Sequence, residues 1–223
     1  MKNRILLSVA LMIIVTVSTY GQILKDTVVD IDGNIYHTVK IGTQTWTVEN
    51  LKVTRYRNGD TIPNVKDYKS WSYLTSGAYC DYKNDITEAK VYGKLYNWYT
   101  VIDKRAIAPK GWHVATYADL KTLTDFLGGH RKAGGKLKET TSLHWINPNK
   151  KASNSSGFLA LPGGYRFYNG KFGFIGESGA WWLATEYDAT EAWSICIHYS
   201  DSDVIELGGV KANGFSVRCV KDN

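Results

Sequence analysis

Aromatic side chains constrain the fold of this chain more than any other sequence feature. The 223 residues include 8 Trp, 15 Tyr and 6 Phe, and each aromatic ring buries a large apolar area when it lies inside a protein. We therefore expect most of these rings to pack in a hydrophobic core. Trp181 and Trp182 are neighbours on a predicted strand, so their side chains point to opposite faces of a sheet. At least one of the two must then cover a second core or meet solvent.

A second aromatic segment is predicted to lie at the surface. Residues 165–168 read Tyr-Arg-Phe-Tyr and follow a pair of glycines in what we expect to be a surface loop. Exposed rings beside polar groups suit stacking on sugars or peptides. The alternative is a scaffold in which these aromatic side chains only hold long loops in place. The candidate ligand-binding residues are Tyr165, Arg166, Tyr168, Trp181, Trp182 and Glu186.

The first 21 residues have the three parts of a secretory signal peptide. Lys2 and Arg4 form a basic start, and residues 5–17 are almost wholly apolar. Small residues follow, and cleavage after Gly21 fits the recognition pattern. An uncleaved anchor is the alternative, but a run of about 13 apolar residues is shorter than the roughly 20 that a spanning helix needs. The sequence predicts a signal peptide at 1–21 and one domain at 22–223, secreted, on the cell surface or in the periplasm, with no membrane span after cleavage.

The charge of the chain argues against nucleic acid as a partner. The formal net charge is +6, and it falls by two when the predicted signal peptide is removed. The basic residues are scattered, whereas a nucleic-acid interface needs them clustered. The predicted partner is a polysaccharide or another cell-surface ligand.

The chain has three cysteines, Cys80, Cys196 and Cys219. Export permits disulfides, and an odd count leaves one thiol over. A Cys196–Cys219 bridge between two predicted strands would contribute about 3 kcal/mol on the chain-entropy model. The alternatives are a Cys80–Cys219 bridge and three buried free thiols.

No motif in the sequence points to a reaction. The acidic run at residues 30–34 lacks the later ligands of a calcium loop, which makes it a turn before a strand. The glycine-rich run at 129–134 is not followed by the Lys and Ser or Thr of a phosphate loop. The histidines lack zinc spacing, and His113 reads as a structural or hydrogen-bonded residue. Asp201 and Asp203 indicate a turn more simply than a calcium site. We therefore predict no metal, no cofactor and no enzyme activity.

Hydrophobic periodicity predicts strands near both ends of the domain. Residues 35–41 alternate as in a strand, and residues 45–51 read as the return strand of a hairpin. Residues 67–84 have no clean period and are predicted to be an ordered loop. Later strands are predicted at residues 158–161, 179–186, 193–199, 204–207 and 215–220.

The clearest helix is predicted to begin after Thr116, with Asp119 in a capping-box-like position. Two glycines at 128 and 129 end it, and one face carries Leu120, Leu123 and Leu127. Helical spacing also recurs from Gly93 onward, and residues 136–139 are predicted to add a short turn of helix. Strands, then helices, then strands indicate an α+β domain.

Several runs, taken in order, resemble the Fibrobacter succinogenes major paralogous domain family. They are IGTQTW at 41–46, ENL at 49–51, RYRNGD at 55–60, YGKLYNW at 92–98, PKGWHV at 109–114, AGGKLKE at 133–139, LPGGYR at 161–166, the tryptophan pair at 181–182 and GFSVRC at 214–219. The resemblance extends from about residue 28 to 221.

The resemblance implies an exported or surface-associated domain similar to the C-type lectin-like and formylglycine-generating-enzyme-like folds. Those folds pair small antiparallel sheets with two helices and long ordered loops. The family has no established activity, so the resemblance supplies no catalytic residues. Many members carry a Cys where this chain has Ala108, which weakens an inherited bridge to Cys219 and leaves Cys196 as the substitute. The calcium-binding runs of lectins do not occur here.

The sequence therefore favours a non-catalytic binding module for carbohydrate or another extracellular ligand. A structural or adhesion protein without a small-molecule site is the alternative. A hydrolytic or oxidative enzyme is the third hypothesis, and an exposed Cys80 beside a histidine would favour it.

Overall fold

The computed structural model describes residues 26–222. The predicted signal peptide at 1–21 lies outside the described residues. Within them, no helix is both long enough and apolar enough to cross a bilayer.

The described residues form short strands and helices in an α+β arrangement, as the sequence predicts. The strands are β1 (Thr27–Val29), β2 (Ile35–Ile41), β3 (Gln44–Thr47), β4 (Tyr79–Cys80), β5 (Leu95–Tyr96), β6 (Trp112–Val114), β7 (Gly163–Arg166), β8 (Phe172–Ile175), β9 (Ser178–Glu186), β10 (Glu191–His198), β11 (Ile205–Val210) and β12 (Cys219–Lys221). The helices are α1 (Tyr68–Ser72), α2 (Ile86–Tyr92), α3 (Trp98–Val101), α4 (Tyr117–Phe126) and α5 (His130–Leu137), with a 3-10 turn at Tyr82–Asn84.

The first sheet joins the two ends of the described chain. Its strand order is β1-β2-β3-β12-β6. Strands β2 and β3 form a hairpin, and β12 lies antiparallel between β3 and β6, with Val220 opposite Trp46 and Cys219 opposite Val114. The inward face of β2 carries Tyr36, while Ile35 is 62% exposed.

The second sheet positions the predicted ligand segment. Its order is β11-β10-β9-β7-β8, and β9 pairs antiparallel with β10 but parallel with β7. The parallel pairing places Gly164 opposite Gly179. A Cβ on Gly164 would come within 2.5 Å of the Gly173 carbonyl oxygen, so the close approach of β7 to its neighbours requires glycine there.

The two neighbouring tryptophans enter two different cores, which confirms the expectation that one of them covers a second core. Trp182 is completely buried in a cluster with Tyr36, Tyr96 and Phe215. Trp181, 2% exposed, packs from the opposite face of β9 into a second cluster. That second cluster also contains the apolar face of α4 and α5. Strand β9 is therefore the shared wall of both cores.

A buried polar network around Asn50 ties the two sheets together. The Asn50 Oδ1 atom accepts hydrogen bonds from Trp181 Nε1 at 2.8 Å and from Arg218 Nε at 2.6 Å. Its Nδ2 donates to the Tyr92 carbonyl at 2.7 Å and to Ser216 Oγ at 3.2 Å. Because a buried polar group is costly unless it is hydrogen-bonded, this geometry fixes the relative position of four chain segments.

Buried cations hold the long loops. Lys138 is completely buried, and its ammonium donates to the carbonyls of Lys150, His198 and Asp201 at 2.7–3.1 Å. Arg218, 2% exposed, donates to the carbonyls of Thr47 and Phe158 as well as to Asn50. These side chains provide donors to backbone carbonyls in loops and at the ends of β3 and β10.

Helix α4 agrees closely with its sequence signal. Thr116 caps it, and Asp119 completes the capping box. The predicted Leu face is buried at Leu120, Leu123 and Leu127, and the two glycines that follow adopt positive φ.

Other predicted elements need correction. Residues 158–161 are not a strand, because Leu159 has a φ of +56° and breaks the extended backbone. Residues 67–84, predicted to be loop, contain α1, β4 and the 3-10 turn. The helical spacing after Gly93 corresponds only to β5 and the four-residue α3. The short helical turn predicted at 136–139 is only partly correct, because residues 136 and 137 end the longer helix α5 and Lys138 is extended.

Candidate functional site

The segment predicted to be a surface loop is a hairpin that carries an aromatic cluster. Strands β7 and β8 pair antiparallel, with Tyr165 opposite Gly173. The Tyr165 ring lies 5.0 Å from Phe167 and 5.2 Å from Phe174, and the Phe174 ring stacks on it at an interplanar angle of 21°. We call Tyr165, Phe167 and Phe174 the aromatic surface.

Phe174 is held in an unusual backbone conformation. Its φ is +67°, a left-handed value that a bulky residue rarely adopts. This conformation brings its ring onto Tyr165, and the Phe174 side chain remains 40% exposed. The hairpin thus displays an aromatic ring at a place where the backbone would favour glycine or asparagine.

Tyr165 anchors the aromatic surface to the interior. Its ring contacts Phe215 of the first core at 5.4 Å. Burial raises the pKa of Tyr165 to about 12, so its hydroxyl stays protonated at neutral pH. Tyr165 is half-buried, so the aromatic surface packs on the first core through Tyr165 and faces solvent at Phe174.

Two predicted ligand residues, Trp181 and Trp182, are not available to a ligand. Trp182 Nε1 donates to the Tyr96 carbonyl at 2.8 Å, and Trp181 Nε1 donates to Asn50. Both indoles have satisfied their polar atoms inside the protein. The prediction that they line a ligand surface is corrected because each side chain fills a core.

Arg166 is likewise buried rather than presented at the surface. Its guanidinium donates to the carbonyls of Gly170, Val65, Lys66 and Asp67. Its charge also lies over the Trp71 ring at 4.4 Å. Arg166 therefore holds the hairpin against the segment before α1.

The remaining two predicted residues, Tyr168 and Glu186, are both exposed, but they make different contacts. Tyr168, 52% exposed, sits in the hairpin turn, where its backbone N–H donates to Asn213 Oδ1 at 2.7 Å. Glu186 ends β9 and accepts from Lys211 Nζ at 2.5 Å. Of the six predicted residues, Tyr165 and Tyr168 lie on the aromatic hairpin and stay accessible.

The predicted Cys196–Cys219 bridge does not form. Cys196 lies on β10 of the second sheet, whereas Cys219 lies on β12 of the first sheet and is completely buried in the first core. Cys80 is also free and buried. Of the two alternatives, a Cys80–Cys219 bridge and three buried free thiols, the structure agrees with three free thiols, except that Cys196 is partly exposed.

His113 is hydrogen-bonded, as its sequence position indicated. Its Nδ1 contacts Asp222 Oδ1 at 2.7 Å and its Nε2 contacts Asp119 Oδ2 at 3.1 Å. Burial alone would lower the pKa of His113, but the hydrogen bonds to the two carboxylates outweigh it and raise the pKa. Asp119 also belongs to the α4 capping box. The hydrogen-bonded group of His113, Asp119 and Asp222 therefore closes the end of the first sheet.

The acidic runs behave as turns. Asp30 Oδ1 accepts from the backbone N–H groups of Asp32 and Asn34, and Asp201 Oδ1 accepts from the N–H of Asp203 at 3.1 Å. Among residues 26–222, no three or more His, Cys, Asp and Glu side chains gather into a group that could hold a metal ion.

Sequence reasoning missed a charged cleft of about 580 Å³. Its lining includes Lys52, Arg55, Lys90 and Lys94. These four residues come from two separated segments, 52–55 and 90–94, and no run of basic residues in the sequence marks them. Only the folded chain brings them together.

Neither the curated proteins nor the solved structures give a significant match to this chain. A family model described as the Fibrobacter succinogenes major domain matches residues 39–221, which is most of the chain. The matched range includes the second core, all of the first core except its N-terminal contribution from Tyr36, the Asn50 network and the aromatic hairpin. The chain belongs to the Fibrobacter succinogenes major domain family.

Proposed function

We propose that this protein is an exported, non-catalytic binding module that holds an extracellular carbohydrate on its aromatic surface. The observation that carries the proposal is Phe174, an exposed ring kept in a left-handed backbone conformation and stacked on Tyr165. A backbone strain of this kind costs of order 1–3 kcal/mol and persists mostly at functional positions. We also propose a C-type lectin-like architecture, which long ordered loops on two small sheets support.

The thiols support a non-catalytic reading. Burial raises the pKa of Cys80 to about 12, so the thiolate that a nucleophile requires is scarce at neutral pH. An exposed Cys80 beside a histidine would favour an enzyme. Cys80 is completely buried, which argues against that hypothesis.

A structural or adhesion role is the second candidate. It is favoured by the burial of Trp181, Trp182 and Arg166, which removes half of the predicted ligand residues from the surface. On this alternative the aromatic hairpin only closes the first core.

Affinity electrophoresis through gels containing xylan, mannan or soluble cellulose derivatives tests the proposal. The variant Phe174→Asn keeps a residue that tolerates the left-handed backbone and removes the ring. We expect its dissociation constant to rise at least tenfold. Phe126→Asn is the matched control, because Phe126 is 64% exposed on α4, away from the hairpin, and we expect it to bind as the wild type does.

Two results would overturn the proposal. Equal affinity of Phe174→Asn and wild type would show that the aromatic surface is not the binding site. Absence of retardation in every polysaccharide would favour the structural role.

A further inference from the structure

The charged cleft lies between three chain segments. They are the turn at residues 30–34, residues 52–55 and helix α2, and Lys94 completes the lining. A volume of about 580 Å³ is in the range of small-molecule sites and far larger than a single bound ion needs. The cleft shares no lining residue with the aromatic surface, so its function stands or falls independently of the proposed function.

The wall formed by the turn is rigid. Asp30 Oδ2 accepts from the Tyr36 hydroxyl at 2.6 Å and from Asn34 Nδ2 at 2.8 Å, while Oδ1 binds the turn backbone. Asp30 is 7% exposed. The turn therefore does not need to be ordered when a ligand binds, which reduces the entropic cost of binding.

The carboxylate in the cleft is already neutralised. Asp32 accepts from the backbone N–H and the hydroxyl of Thr54, and its Oδ1 accepts from Arg55 Nε at 2.6 Å. Burial alone would raise the pKa of Asp32, but these hydrogen bonds together lower it. Asp32 therefore stays ionised, and its negative charge is compensated by Arg55 and by the donors of Thr54.

Lys94 is also compensated. Its ammonium lies 2.7 Å from Asp81 Oδ1, and both side chains are nearly buried. This pair forms a neutral floor for the cleft and leaves the remaining lining charges to determine which ligand fits.

The uncompensated charges are all positive. Among residues 26–222, no carboxylate lies within ion-pair distance of Lys52 or Lys90. Lys52 Nζ donates to the Lys90 carbonyl at 2.9 Å, which ties the loop to the helix. The charge of Arg55 is already paired with Asp32 through Nε, but within the same described range its two terminal amino groups have no hydrogen-bond partner and can still donate to a ligand; its side chain is 47% exposed.

An apolar side chain borders these cations. Ile86, the first residue of α2, is 57% exposed and lines the cleft together with Ala89. A bare inorganic anion gains nothing from this apolar surface, whereas the C–H face of a sugar ring can cover it. We propose that the cleft binds an acidic saccharide, whose anionic group pairs with Lys52, Arg55 and Lys90 and whose ring packs on Ile86.

Calorimetric titration of the full chain with trigalacturonate tests this inference, with neutral galactotriose and inorganic sulfate as comparison ligands. We expect trigalacturonate to bind, with affinity that falls as salt rises because exposed charges are screened. The double variant Lys52→Met with Lys90→Met should weaken binding at least tenfold. Lys104→Met with Lys132→Met is the matched control, since both lysines are exposed and lie outside the cleft.

Each comparison has a result that contradicts the inference. Equal weakening of binding by the control pair would show that overall charge, and not the cleft, determines affinity. If galactotriose bound as tightly as trigalacturonate, the anionic group would not contribute to recognition. If sulfate bound as tightly, the sugar ring would not contribute. A trisulfated oligosaccharide that binds in place of trigalacturonate would support an acidic saccharide of the sulfated type. Because Phe174 is untouched in these variants, failure here leaves the aromatic surface as a separate question.

Discussion

Replacing Asn50 with alanine should destabilise the protein more than its small volume change implies. The substitution removes the only acceptor of two buried donors, Trp181 Nε1 and Arg218 Nε, among the contacts of the described chain. A buried donor left without a partner costs about 1–3 kcal/mol, and more when it is charged. Arg218 is charged and buried, and burial lowers its pKa to about 9, so it depends heavily on its remaining acceptors.

The expected loss is about 3–5 kcal/mol in the free energy of unfolding, because two donors and the bond to the Tyr92 carbonyl are affected together. For a domain of this size, 1 kcal/mol corresponds to about 2–4 °C in Tm. We therefore expect Tm to fall by roughly 10 °C. Urea denaturation followed by tryptophan fluorescence, together with calorimetry, measures both quantities.

Asn58→Ala is the matched control. Asn58 is exposed, and both of its side-chain hydrogen bonds connect it to Asp60 two residues away. We expect this variant to lose less than about 1 kcal/mol.

A double variant separates the hydrogen bond from general packing. In Trp181→Phe the indole donor is gone, so adding Asn50→Ala should cost less than it does in the wild type, by about 1 kcal/mol. A loss below 1 kcal/mol for Asn50→Ala alone, or full additivity with Trp181→Phe, would refute the reasoning that this network joins the two sheets.

Three further outcomes are expected. Lys138→Met should lower the free energy of unfolding by about 3 kcal/mol in urea, since three partly buried carbonyls lose a charged donor, while Lys132→Met on the exposed face of α5 should change little. Protonated His113 stabilises the fold because its pKa is raised. This stabilisation is complete below the ordinary pKa of 6.5 and is lost as pH rises through the higher pKa of the folded protein. The Tm of the wild type should therefore fall across that pH range relative to the Tm of His113→Gln, and parallel curves of Tm against pH would contradict the prediction. Thiol titration with a disulfide reagent in denaturant, without reductant, should yield three thiols per chain, and a count of one would restore a disulfide.

Elements that depend on local patterns were predictable, and those that depend on unusual backbone angles were not. Helix α4 has a capping box, an apolar face and two glycines within 14 residues, so its signal is contained in its own sequence. The 158–161 segment has strand-like composition, but Leu159 adopts a positive φ, which a leucine side chain does not predict. Phe174 is the same case on the aromatic hairpin. A helix such as α1, with five residues, is too short to show a period.

The ligand residues were harder to predict than the fold for a related reason. Aromatic composition correctly indicated large cores, but it could not distinguish a buried Trp182 from an exposed Phe174, because both are large apolar rings in strands. The charged cleft joins residues from Asp32 to Lys94, which lie far apart in the sequence, through the path of α2. Long-range assembly of this kind leaves no periodic signal.

The runs that carry the family resemblance are mainly those that build the interior. Asn50, Arg166 and Arg218 all lie in such runs, and each uses its polar atoms on buried partners. By contrast, Phe174, with Lys52 and Lys90 of the charged cleft, lies outside them. In this chain, the runs that carry the resemblance therefore contribute buried polar contacts that hold the two sheets and the loops together. The two proposed ligand sites are therefore tested at Phe174 and at Lys52 and Lys90, outside the runs that carry the resemblance.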